Sequence, residues 1–351
     1  MNDTAIPKSS MAKSSLLFWL IGSVISVSCA LFVHFTADAP TTAYPTRNIQ
    51  GIIMWGAGGA TDTMSRAITP YVEPLLGKDV VLINRSGGAG AISTKYVHNK
   101  KSDGYTLLYG AENPQLHGVL GLSEVDYSEF YAVNVLARGI SVIVSHPDQP
   151  WRSLKDLMED VKARPSEIKM GSTGPGGLPY VVGAMLGSQG AFDVIPVPFD
   201  GDGPAITALL GGHIDFLPSG FTATAEHIKS GRLIALAVVN DEEIALLPSV
   251  PPITQDYPAF KKFLPWGPFY GVFVNKQAPE HIKLRLRDAF YQGASDPLFS
   301  QFVNDFGAIP MNISGREADK FLKKWQSVTT WLLQDAGATK RTPEEFDIPR
   351  P

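Results

Sequence analysis

WGAGGATDTMSRA, residues 55–67, sets three glycines in four positions and passes at once into a helical pattern. Ahead of it, residues 49–55 form an apolar run that reads as a strand. Behind it, residues 61–76 carry Met64, Ile68, Tyr71, Val72 and Leu75 at helical spacing. A strand, a glycine-rich turn and a helix in that order bring backbone close to whatever sits at the helix N-terminus. There, unpaired N–H groups and roughly half a positive charge favour an anion. The alternation continues with a strand at 80–83, a helix at 89–98 and a strand at 105–109. It argues for an α/β fold with a mainly parallel sheet.

Beyond Pro147 and Pro150 the pattern restarts. Ser153 and Asp156 make a capping box for a helix that buries Leu154, Leu157, Met158 and Val161. Residues 168–170 lead into a second glycine-rich turn, GSTGPGG (171–177), ahead of another helix. Strands are expected at 194–198, 214–217 and 233–239. The Pro-rich passage 247–268 reads as a returning connection, followed by a strand at 270–274 and a helix start at Pro279. In the last helix Ser314 and Glu317 supply a capping box, and Ala318, Phe321, Leu322, Trp325, Val328 and Leu332 a core stripe. A length of 351 residues agrees with two lobes, and each α/β stretch carries one glycine-rich strand-to-helix turn. Ligands of open α/β sheets bind beyond the strand C-termini. Two such turns facing each other would hold an anion with an acidic group at one or both ends.

The chemistry that these motifs permit is narrow. A formal net charge of −4, with no basic stripe, does not point to nucleic acid. No lysine follows the glycines at 56–59 as a phosphate loop requires, and Thr61 stands where a dinucleotide fingerprint needs its third glycine. Ser172 lacks the glycine two positions before it that a nucleophile elbow needs, Met170 standing there, and the seven histidines show no metal-ligand spacing. Asp200 and Asp202 read first as a polar turn with a carboxylate in a first helical turn, and Glu112 as a loop residue at the end of a strand. No catalytic constellation, metal site or cofactor is expected.

Lys8 and Lys13 precede an apolar stretch over 16–35, the pattern of an export signal. At twenty residues it is also long enough to span a bilayer, so residues 1–39 read as either a signal peptide or an N-terminal anchor. Ser28 and Ala30 supply the small residues of a cleavage site. Cys29, the only cysteine, lies within the stretch, so the exported part has neither a disulfide nor a thiol nucleophile. Residues 40–47 form a linker.

An ordered series of short motifs carries a resemblance. Gly58-Gly59-Ala60-Thr61-Asp62 with Arg66, Asn84-Arg85-Ser86-Gly87-Gly88-Ala89-Gly90, and Asp103-Gly104-Tyr105-Thr106-Leu107-Leu108 resemble the Bug/TctC family. So do Gly171-Ser172-Thr173-Gly174, Val197-Pro198-Phe199-Asp200-Gly201, LLGGHID (209–215) and GRLIALA (231–237), in that order. These are the extracytoplasmic solute-binding receptors of tripartite tricarboxylate transporters. The resemblance implies a two-lobed periplasmic-binding-protein fold of the second type, with mixed sheets flanked by helices and the ligand in a cleft between lobes. It implies that carboxylates are held by backbone amides and water, here from loops Ala57–Asp62 and Ser172–Gly177. The site residues so expected are Ala57, Gly58, Gly59, Ala60, Thr61, Asp62, Ser172, Thr173, Gly174, Gly176 and Gly177, with Glu112, Tyr180 and Asp200 around them. Residues 48–146 and 270–351 are assigned to one lobe and 147–269 to the other.

The departures from the family pattern bear on the ligand. Met54-Trp55-Gly56-Ala57 stands where Pro-Phe-x-Pro is usual, and Gly176-Gly177-Leu178-Pro179-Tyr180 replaces a loop richer in side-chain donors. Asp200 occupies a position that is often lysine. With Glu112 and Asp202 nearby, a more acidic cleft is expected, suited to a ligand with an amine or a neutral aromatic part besides its carboxylate. The function expected is capture of a small organic acid and its delivery to the membrane subunits of a tripartite transporter, without chemistry. A membrane-tethered sensor ectodomain is the alternative, and an exported hydrolase or lyase using Glu112 and Asp200 a weaker third.

Overall fold

The apolar run before the first glycine turn is a buried strand, β1 (Ile49–Ile53), in the computed structural model, which describes residues 44–199 and 201–351. The stretch 16–35, expected as signal or anchor, and Asp200 lie outside the described residues. Helices α1 (Ala60–Leu76) and α2 (Ala91–His98) carry the chain to β2 (Val80–Asn84) and β3 (Thr106–Gly110), which flank β1 in parallel. Helical crossovers dictate that direction. The long strand β4 (Phe130–Gly139) follows, and after Ile140 the chain enters β5 (Ser141–Ser145) of a second sheet.

The second sheet is built from α3 (Leu154–Ala163), β6 (Lys169–Ser172), α4 (Leu178–Gly187), β7 (Ile195–Pro198), α5 (Asp202–Leu210), β8 (Phe216–Gly220), α6 (Phe221–Lys229) and β9 (Ile234–Val238). The connection through 239–268 returns to β10 (Phe269–Asn275) of the first sheet. There α7 (Glu280–Ala294), α8 (Pro297–Asp305), β11 (Ala308–Ile313) and α9 (Gly315–Asp335) complete the unit Pro45–Pro351. The strand orders are β11-β4-β10-β3-β1-β2 and β7-β6-β8-β5-β9.

Both sheets are mixed. The helix-linked strands pair in parallel, whereas β4, β5 and β10 pair antiparallel with their neighbours. Strands β4, β5 and β11 are absent from the sequence reading. β4 is buried at nine of its ten positions, so it shows no alternation, and Asn134 and Arg138 break its apolar run. β5 lies in the second sheet although residues up to 146 were assigned to the first lobe.

The two crossings between sheets touch. Gly139 N–H donates to Pro268 O at 2.7 Å. A Cβ on Gly267 would stand 2.3 Å from Gly139 O, so only glycine fits there. Buried Arg138 bonds Trp266 O at 3.0 Å and Asn240 Oδ1 at 3.4 Å. Helix α9 braces this junction: Trp325 Nε1 donates to Gly267 O at 2.9 Å and Trp266 Nε1 to Thr329 Oγ1 at 3.0 Å. Its buried residues include Ala318, Leu322, Trp325, Val328 and Leu332, as its three- and four-residue spacing predicts. Each large side chain so buried contributes about 1.5–3 kcal/mol.

The capping box at Ser153 and Asp156 forms. The one expected at Ser314 does not: the Ser314 hydroxyl makes no cap bond and instead accepts from Asn134 Nδ2 at 3.2 Å. A buried β4 amide needs partners, and that demand outranks an exposed cap. Among the described residues no helix is long and apolar enough to cross a membrane.

Candidate functional site

Strand β1 delivers the first glycine turn to the edge of its sheet, where residues 56–59 are exposed. Gly58 adopts φ +78°, a conformation that favours glycine. Asp62, three positions into α1, then fixes the turn. Its carboxylate accepts Gly58 N–H at 2.9 Å, Arg66 Nε at 2.9 Å and Asn84 Nδ2 at 2.8 Å. Asn84 also donates to Trp55 O at 2.9 Å and accepts from Arg66 at 2.8 Å. Burial alone would raise the Asp62 carboxyl, but these donors hold it below the usual range. Asp62, Arg66 and Asn84 therefore hold the loop, and Ala57, Gly58 and Gly59 expose its backbone, with Ala60 half-buried and Thr61, also expected at the site, buried at the start of α1. Gly59 caps α1 with no side-chain hydrogen bond. The first-turn N–H groups, which no helix can satisfy internally, are left to water or a solute.

The second loop leaves β6 at Ser172, whose hydroxyl accepts Gly174 N–H at 3.3 Å. Gly174 (φ +86°) and Gly176 (φ +77°) turn the chain. The Thr173 hydroxyl lies so near Gly177 that a Cβ there would stand 2.2 Å from it. Gly177 again caps its helix, α4, without a side-chain bond, although Pro179 in the first turn has no N–H to offer. Two more helices of the second sheet begin in the same manner, α5 at Gly201 and α6 at Gly220. Uncapped glycine N-termini at the C-terminal ends of strands are thus a repeated device of both sheets.

The second loop meets the segment that follows β3. Asn113, just after β3, donates from Nδ2 to Gly176 O at 3.3 Å. A Cβ on Gly176 would stand 2.7 Å from Leu120 Cδ1 of the first sheet's layer. Tyr180 also bridges the halves, since its hydroxyl donates to Ala338 O at 2.9 Å beyond α9.

Glu112 lies at this seam, 8% exposed. It accepts the backbone N–H groups of Glu112 and Phe269, while its Oε2 has no partner. Burial pushes its carboxyl up to about 7, and the charge of Asp202 from the second sheet adds to the rise. Burial likewise raises Asp202. Tyr270 on β10 feels both acids and has the Thr222 hydroxyl beside it.

The structure thus joins Asn113, next to Glu112, to Gly176 of the second loop and ties up Asp62 and Tyr180 in hydrogen bonds within the protein, while Asp200 lies outside the described residues. Asn113, Tyr270, Thr222 and Gly220 escaped the sequence reading. A glycine before the helix starting at Phe221 was a signal of the same kind as Gly59. An apolar depression lined by Phe263, Pro265, Trp266, Phe321 and Trp325 lies elsewhere, along α9, with few polar groups.

Comparison with known proteins agrees with this architecture. The model of the tripartite tricarboxylate transporter family receptor, TctC, matches residues 64–337. The protein BugT of Bordetella pertussis is 32% identical over 301 residues, covering 83% of this chain and 91% of BugT. The structure of the periplasmic binding protein BugD superposes with a TM-score of 0.74 at 26% identity, covering 85% of this chain and all of BugD. A protein of R. palustris solved with adipate gives a TM-score of 0.75 at 22% identity, covering 84% of this chain and 98% of its own. Two mixed α/β sheets and a family match across most of the chain, joined by the similarity to BugT, make this protein a member of the TctC family of periplasmic solute-binding receptors.

Proposed function

We propose that the cleft captures a small carboxylate-bearing solute and presents it to the membrane subunits of a tripartite transporter, with no chemical change. The observation that carries this reading is the set of glycine N-caps without side-chain partners, Gly59 in one half and Gly177, Gly201 and Gly220 in the other. Each offers oriented N–H groups and partial positive charge. Adipate in the R. palustris neighbour supports a carboxylate ligand. Ala57–Thr61 and Ser172–Gly177 are taken as the carboxylate-binding backbone. The lobes are divided at Ile140 and near Pro268, where the crossings pack together. Closure on the solute then requires only that the closed form bind it better.

Thermal unfolding and calorimetric titration against mono-, di- and tricarboxylates and amino acids test the proposal. A selective acid should raise the melting temperature and be recovered unchanged. Conversion of the bound acid, or no binding across the panel by solute-free protein, would overturn it.

A further inference from the structure

Among the described residues, every sheet edge but one is blunted. On β7, Ile195 and Phe199 donate to the β6 side, so Pro196 and Pro198 face outward and offer no N–H. Strand β11 carries Pro310 and a bulge before Ile313. Along β9, Val238 exchanges backbone bonds with Pro251 and Ile253. The remaining edge, β2 (VVLIN, 80–84), has no proline, no charge and no bulge. Asp79 O and Arg85 N bond β1, so the N–H and C=O groups of Val80, Leu82 and Asn84 point away from the sheet. Glu73 Oε1 accepts Val80 N–H at 2.8 Å, and the other outward groups have no partner among the described residues. Val81 and Ile83 are 50% and 42% exposed. They share the face on which Arg85 lies over the Tyr96 ring of α2, but α2 packs on β1 and β3 and leaves β2 uncovered. An apolar edge of this kind is a template for another strand.

We propose that β2 pairs antiparallel with β2 of a second copy about a two-fold axis at Leu82, joining the first sheets of two molecules. In that register Leu82 faces Leu82 and Val80 faces Asn84, so the outward groups exchange N–H···O bonds. Only Val80 N–H, held by Glu73, needs a carboxylate to move aside. On the exposed face Val81 meets Ile83 and Asp79 meets Arg85, each pairing occurring twice by symmetry. Asp79 and Arg85 are exposed and form no ion pair among the described residues, although Asp79 accepts Asn48 Nδ2 at 3.0 Å. Sliding one copy by two residues puts Asp79 opposite Ile83 or Gly87 and loses both pairings. One register therefore satisfies backbone, apolar and charged groups together, and its partner is the same strand. The pairing does not depend on what the cleft binds.

Sedimentation velocity of the purified full chain at low ionic strength, from about 1 μM to 1 mM, is the test. A short edge makes a weak dimer, so the mean mass should rise with concentration toward twice that of the monomer. Asp79→Arg sets arginines opposite each other and Arg85→Asp sets aspartates opposite each other. Each alone should weaken the dimer about tenfold, because both symmetric pairs turn from attraction to repulsion. An equimolar mixture of the two variants restores unlike charges at both ends and should associate as the parent does. The chain carrying both substitutions should do the same. Ile83→Lys, which puts a charge opposite Val81, should leave only monomer. A monomer at every concentration of the parent chain would overturn the proposal. So would a dimer that none of these substitutions weakens, or one that the charge variants weaken and mixing does not restore.

Discussion

Glu112→Gln should make the solute-free protein more stable, and by an amount that depends on pH. In the folded chain burial first, and then Asp202, push the Glu112 carboxyl from an ordinary 4.5 up to about 7. Between these values the folded state binds more protons than the unfolded state, so stability falls as pH rises through that window. Below it the group is protonated in both states and costs nothing extra. Above it the full penalty is present. The interval from 4.5 to about 7, at 1.36 kcal/mol per pH unit, gives about 3 kcal/mol. Glutamine keeps a carbonyl oxygen for the backbone N–H groups of Glu112 and Phe269 and carries no charge to desolvate. Urea unfolding at pH 4 and pH 8 separates the effects. The variant should gain about 3 kcal/mol over the parent at pH 8 and little at pH 4. An equal difference at the two pH values, or a loss of stability at pH 8, would refute the reasoning.

Asp62→Ala removes the acceptor of Gly58, Arg66 and Asn84. With Gly58 and Arg66 open to water, it should cost about 2–3 kcal/mol in urea unfolding at pH 7 and weaken solute binding. Because its folded pKa lies below the usual 3.8, the stabilisation it supplies is present above that value and is lost as pH falls through the folded pKa. Gly176→Ala places a Cβ at φ +77° and 2.7 Å from Leu120 Cδ1, so it should cost about 1–2 kcal/mol and loosen the seam. Weaker solute binding in titration is the check. Tyr180→Phe deletes the bond to Ala338 O and should reduce stability by about 1 kcal/mol, read as a lower unfolding midpoint.

Local rules made much of this protein legible. The glycine turn at 56–59 needed only the strand before it and the helical spacing after it, and both elements fold as read. Parallel pairing of β1, β2 and β3 followed from helices joining consecutive strands. The core stripe of α9 is periodic, and periodicity is a property of the chain alone. Where a segment is buried on all sides, that signal vanishes. β4 shows no alternation, and its Asn134 and Arg138 look like surface residues until Ser314, Asn312, Trp266 and Asn240 are found around them.

The site divides along the same line. By itself the sequence determined which turns present bare backbone, because glycine conformation and helix N-termini are set within a few residues. It also led to the expectation of a more acidic site around Glu112, Asp200 and Asp202. The tertiary structure decided what each carboxylate does. Asp62 finds three donors within its own half and becomes a structural brace. Glu112 is carried to the seam with one oxygen unpartnered and Asp202 approaching from the other half. A carboxylate's role depends on its solvation and on the charges around it, and those are fixed by contacts between residues far apart in the chain.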